Sequence, residues 1–207
     1  MKHSASHELF TYWNHLRGAR AAPERSEIDP AAIRTVLADT FMLEVDPERR
    51  FHLRLSGTRL NMLFDAEQKG RSFDTLWCAP DAPIITTVLA SVVDEVLPAV
   101  LSAMAAPPGH AEIEMELLFL PLRHYGKTHA RVLGLISPTR HASWYGLLPI
   151  EPLRLHSMRI INDLQAAQPI TATRPTYFAP APRNAAVPQE GAIFQRHKHL
   201  RIYSGGR

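Results

Sequence analysis

Between Glu112 and Leu117 the chain alternates without a break. Glu112, Glu114 and Glu116 take one parity, and Ile113, Met115, Leu117 and Phe119 take the other. A period of two puts successive side chains on opposite faces of an extended strand, so this segment predicts a strand with one apolar face. Such a strand needs partners for its backbone groups and a layer over its apolar face. Arg131 to Ile136 reads as the next strand, and the turn containing Gly126 makes the pair an antiparallel hairpin. The three carboxylates are expected on a solvated sheet face, with Arg123 and Arg131 as basic partners.

Upstream, Phe41 to Val45 and Phe51 to Leu55 form two further strands around Asp46–Arg50. Thr58 can cap a short helix carrying Leu60, Leu63 and Phe64, and Gly70 precedes a turn with Phe73, Leu76 and Trp77. Asp81 caps the longest helix, Ala82 to about Leu97, which Pro98 ends. Leu153 to Ile161 closes the series as a strand. This order predicts an α+β fold: a five-stranded antiparallel sheet with helices on one side.

Ahead of that core, Leu9, Trp13 and Leu16 recur at helical spacing with Phe10 widening the stripe. They predict an amphipathic helix from about His7 to Arg20, with Ser6 as N-cap. Asp29-Pro30 starts a short helix through Ile33 and Leu37. We therefore divide the chain into an N-terminal helical cap (1–37), a core (38–165) and a C-terminal extension (166–207). Residues 168–191 carry five prolines and read as a linker. Phe194, Leu200, Ile202 and Tyr203 beyond it, among His197, Lys198, His199 and Arg201, are expected to dock on this chain or a neighbour.

Composition narrows the function classes. A single cysteine, Cys78, excludes an intramolecular disulfide framework and multi-cysteine zinc sites. The N-terminus lacks a signal-peptide core, and the apolar region 82–108 is broken by Asp94, Glu95, Pro98 and Pro107, so no membrane association is expected and the location is expected to be cytoplasmic. The net charge of +3 is spread along the chain, which disfavours a nucleic-acid face. No glycine-rich phosphate loop, His-Glu-x-x-His or Gly-x-Ser-x-Gly occurs, so no catalytic residues are assigned and the chain is not expected to be an enzyme. His3 with His7, and His197 with His199, lack the further ligands a metal needs, so no metal site is assigned.

The run Leu9-Phe10-Thr11-Tyr12-Trp13-Asn14-His15-Leu16-Arg17-Gly18-Ala19-Arg20, then Pro23-Glu24-Arg25 and Ile28-Asp29-Pro30, resembles the opening of a bacterial PAS-like family. That family is found largely in alphaproteobacteria and was formerly catalogued as a domain of unknown function. Arg54-Leu55-Ser56-Gly57-Thr58-Arg59, Lys69-Gly70-Arg71-Ser72-Phe73 with Trp77, and Leu118-Phe119-Leu120-Pro121-Leu122 are similar to its later landmarks, in order. The resemblance implies a PAS fold and a sensor or adaptor role in signalling, through a small ligand, a protein partner or both. It brings no settled ligand and no catalytic residues.

PAS-like domains hold ligands between sheet and helices, or dimerise through an N-terminal helix. The equivalent pocket here would be walled by Leu53, Leu60, Leu63, Phe64, Phe73, Trp77, Met115 and Leu117. The same residues serve as a closed core in a purely structural module, the reading that close packing favours. Leu9, Phe10, Trp13 and Leu16 are the candidate contacts of a homodimer. Light-sensing relatives attach flavin to a cysteine between Asn and Arg, followed by Phe-Leu-Gln. Cys78 stands instead in Leu76-Trp77-Cys78-Ala79-Pro80, which disfavours flavin. Haem is disfavoured because no histidine lies between Leu60 and Ala106; His52 and His110 are the remaining outside candidates. Arg17, Arg20 and Arg25 have two readings: an anion grip, or ion pairs clamping the first helix, with Asp29 one available acceptor.

Overall fold

A computed structural model of the chain describes residues 1–161. The alternating segment lies within β4 (Ile113–His124), which is followed by β5 (Lys127–Pro138). Tyr125 (φ 51°) and Gly126 (φ 76°) join them. Two consecutive left-handed residues make the type I′ turn whose twist suits a hairpin. Pro121 stands past Phe119, the last β4 residue paired on its other side, so its missing N–H breaks no ladder there.

β1 (Thr40–Val45) pairs with β5 and with β2 (Phe51–Ser56). Two more strands, β3 (Ala99–Ala105) and β6 (Arg154–Ile160), complete an antiparallel sheet in the order β2-β1-β5-β4-β3-β6. The sheet has six strands where the sequence predicts five. The missed one is β3, whose Ala-Val-Leu-Ser-Ala-Met-Ala has too many small residues to show an alternation, and Pro98 before it signals only a helix stop.

One face of the sheet carries Phe41, Leu43, Met115, Leu117, Phe119 and Ile136 under α2 (Thr58–Leu63), the 3-10 turn Phe73–Leu76 and α3 (Ala82–Asp94). We call this the inner face. Helical cover is not confined to it: α1 (Ser4–Arg17) lies on the opposite, outer face against Met42, Leu118, Leu120, Leu122, Leu133 and Leu135. The region after Asp29 is a run of turns ending in a 3-10 turn, Leu37–Asp39, rather than the predicted helix.

The alternation of β4 explains how α1 is placed. The outer parity of β4 is acidic in its first half (Glu114 and Glu116, with Glu112 just before the strand) and apolar in its second (Leu118, Leu120, Leu122). Leu9, Phe10 and Trp13 are buried on the outer-face core, and the Trp13 indole N–H donates to the Pro121 carbonyl at 2.9 Å. The helix start lies over the acids. Glu116, 3% exposed, accepts the backbone N–H groups of Lys2 (2.6 Å) and His3 (3.1 Å), and the Lys2 ammonium pairs with Glu114 at 2.7 Å. Carboxylates suit the positive end of a helix. Glu116 is therefore a buried anchor, not part of a solvated face, and the basic partners of the row are Lys2 and Arg154, with Arg154 on Glu112. Arg123 and Arg131 pair with Glu24 and Glu44 instead.

The predicted caps also shift. His3, not Ser6, caps α1, its Nδ1 accepting from the Ala5 N–H, while Ser6 is buried. Gly57 is the N-cap of α2, because any Cβ there would sit 2.3 Å from the Ala38 carbonyl oxygen. Asp81 precedes α3 but its carboxylate accepts the Leu155 N–H at 2.7 Å, tying β6 rather than capping the helix. The expectations for residues 166–207, including His197 and His199, lie outside the described residues.

Candidate functional site

The eight residues expected to wall a ligand pocket do converge, all on the inner face. Leu53, Leu60, Leu63, Phe73, Trp77, Met115 and Leu117 are buried in one cluster, and Phe64 packs against it half-buried. Aromatic rings occupy the centre. Phe41 stacks on Phe73 at 5.1 Å between centroids, and Phe119 meets Phe73 edge-on at 5.7 Å. Phe41 reaches this position because Gly134 beneath it has no side chain; a Cβ there would lie 2.1 Å from the ring. The sequence pointed to most of these residues but not to Phe41, Phe119 and Gly134, whose meeting depends on the pairing of Phe41 with Gly134 across β1 and β5.

The mouth of this space is covered by residues 139–153. Trp144 and Ile150 join the inner core, and the Ile150 N–H donates to the Leu63 carbonyl at 2.7 Å. The Tyr145 hydroxyl donates to Asp39 at 2.8 Å, Arg59 pairs with the same carboxylate, and the Arg59 guanidinium lies 5.6 Å from the Tyr145 ring centre. Burial first, then the charge and hydrogen bond of Asp39, push the Tyr145 phenol above its ordinary value, so it stays a donor. Asp39, Arg59 and Tyr145 come from three separate segments, and no spacing in the sequence signals their meeting. The segment leaves Leu147 (77% exposed) and Leu148 on its outside. Inside, the Trp77 indole Nε1 is buried without a hydrogen-bond partner.

The remaining candidates separate. Leu9, Phe10 and Trp13 are turned onto their own sheet and Leu16 packs half-buried beside them, so a dimer contact through α1 would have to use its other side. Arg20 grips Glu27 with both terminal nitrogens (2.9 Å each) and also bonds the Leu16 and Arg17 carbonyls. Its acceptor is Glu27, whose side chain also receives the Glu24 N–H, whereas Asp29 caps the following turn through the Ala31 N–H. Arg17 donates to Asn14 and to the Arg20 carbonyl and lies over Trp13. Arg25 departs from this group: it lines a groove of about 610 Å³ on the outer face, together with Arg34.

His52 is paired with Asp46 at 3.0 Å and His110 with the Pro108 carbonyl, both in the loops and strand ends rather than in the inner core. Burial would raise Asp46, but the Arg50 N–H and the side chains of Arg50 and His52 hold it down at about 2. Cys78 is half-buried, its thiol near the Pro152 carbonyl at 3.4 Å. Among the described residues no three His, Cys, Asp or Glu side chains gather as a metal site, and no helix is long and apolar enough to cross a membrane.

The PAS domain family matches residues 1–137, from α1 to the end of β5. Among solved structures, the PAS domain of a protein from Colwellia psychrerythraea is similar at 14% identity, covering 53% of this chain and 97% of that chain, with a TM-score of 0.39. No curated protein matches the sequence.

Proposed function

This chain belongs to the PAS domain family, and we propose that it acts as a non-catalytic adaptor in bacterial signalling whose output is contact with a protein partner. The observation that supports this reading is the closure of the inner face. The space where such a domain would hold a ligand is filled by Phe41, Phe73, Trp77 and Phe119 and covered by Trp144 and Ile150. Close-packed aromatic interiors are rigid and leave the surface to carry recognition. Leu147 and Leu148, presented side by side on the covering segment, are the apolar pair available for it.

The test is retention of a defined partner. Cells making the tagged full chain should yield one stoichiometric partner under gentle purification, and Leu147→Asp with Leu148→Asp should lose it while melting within a few degrees of the parent. A partner retained undiminished by the double variant counts against Leu147 and Leu148 as the contact. No stoichiometric partner at all counts against the adaptor.

A further inference from the structure

The outer-face groove lies between the turns after Glu24 and the β2–β1–β5 end of the sheet. Ile28, Ile33, Met42 and Leu133 are buried along it, while Leu37 and Leu55, 40% and 47% exposed, stand at its open side. A volume of about 610 Å³ is in the range of small-molecule sites, which run from about 300 to 1,000 Å³.

The charge of the lining is one-sided. Among the described residues Arg25 and Arg34 line the groove and no Asp or Glu does. Neither guanidinium has an ion pair or side-chain hydrogen bond among the described residues, in contrast to Arg20 and Arg59, which are tied to Glu27 and Asp39. Of the hydroxyls in the lining, Thr40 donates to the Leu37 carbonyl and Ser56 to Asn61, while Thr58 is exposed at the rim. What the groove offers is therefore an apolar trough with two uncommitted cations. A polyphosphate would leave the leucines wet, and a neutral hydrocarbon would leave the arginines unanswered.

We propose that this groove binds an amphipathic carboxylate, an apolar chain lying over Met42 and Leu133 with its anionic head between Arg25 and Arg34. The guanidinium fork suits a carboxylate head, and charge-assisted hydrogen bonds of this kind are the strong ones. The site opens on the outer face, although Phe41 of the inner core also contributes to its wall. It deepens the adaptor reading by naming what the adaptor senses, and rests on that reading only for the consequence of binding.

Decanoate, below its micellar concentration, is the probe, titrated into the full chain calorimetrically alongside 1-decanol and decylamine. Decanoate should bind saturably and raise the melting temperature with concentration, as linkage requires. Decanol should bind at least tenfold more weakly, and decylamine should not bind. Arg25→Glu with Arg34→Glu should weaken decanoate at least tenfold, whereas Lys69→Glu, outside the groove, should not. In the full chain labelled at methionine methyls, decanoate should shift Met42 on the outer face and leave Met115 on the inner face unmoved.

Equal affinity for decanoate and decanol overturns the proposal, as does binding that survives the double charge reversal or that moves Met115 instead of Met42. So does absence of binding, including the case where sedimentation shows a second copy of the chain in the groove. Loss of decanoate binding with the partner of the adaptor retained would defeat this inference alone; the reverse outcome would defeat only the adaptor.

Discussion

The two faces of the sheet are built from the same strands and do opposite things. On β4, Ile113, Met115, Leu117 and Phe119 close an interior of interlocking rings under α2 and α3, while Glu116, Leu118, Leu120 and Leu122 receive a helix that begins on a carboxylate and continues over leucines. The inner face is sealed by side chains that meet each other. The outer face is covered piecewise, by α1 and a run of turns, and between those turns and the sheet a groove remains. Open space is thus left on the outer face, while the inner face is packed.

The comparison breaks most visibly at α1. Trp13→Ala removes a fully buried indole and the Pro121 hydrogen bond, and should cost about 3–5 kcal/mol in urea unfolding. A loss under about 1 kcal/mol would mean that α1 does not rest on this face in solution. On the inner face, Gly134→Ala should cost about 1–3 kcal/mol, since its methyl overlaps the Phe41 ring and nothing nearby can yield cheaply. Gly134→Ala with Phe41→Leu should recover part of that loss.

Glu116 sharpens the outer face through pH. Burial opposes its charge, but the Ser6 hydroxyl beside it and the N–H groups of Lys2 and His3 outweigh burial and hold its carboxyl below 4.5. A folded value below the unfolded one stabilises fully above pH about 4.5 and is lost as pH falls through the folded value. Glu116→Gln should cost about 1–3 kcal/mol at neutral pH, speed amide exchange over residues 4–17, and flatten the acid limb of the stability curve. An acid limb unchanged by Glu116→Gln would remove Glu116 as the anchor. The smallest effect is expected at Trp77→Phe. It deletes the orphaned indole N–H along with some volume, so the two terms oppose and the net change should stay within about 1 kcal/mol. A much larger loss would show that the Trp77 N–H has a partner in solution.

The fold was legible wherever the period of the sequence was decided by one surface. The Leu9–Trp13 stripe and the inner parity of β4 each report a buried face and the Gly126 turn reports its hairpin, and all three stand in the structure, although the outer parity of β4 is buried too. β3 was not legible, because its alanines fit beneath neighbours without announcing a side. Of the site, the wall residues could be listed from the sequence, but whether they enclose space or fill it depends on Phe41 lying over Gly134, which only strand register decides. The role of Glu116 was hidden for a related reason. A charged residue at period two signals solvent, unless another segment brings donors to it. Arg25 and Arg20 look alike in sequence and differ only in whether a carboxylate is within reach.

The inner face is closed by the protein's own side chains. A high-resolution crystal structure of the full chain as purified from cells tests this closure most directly. Phe41, Phe73 and Phe119 should be in mutual contact, with Trp77 against Phe73 and no other density among them. A bound molecule between the sheet and α2–α3, with those rings swung aside to admit it, would contradict it.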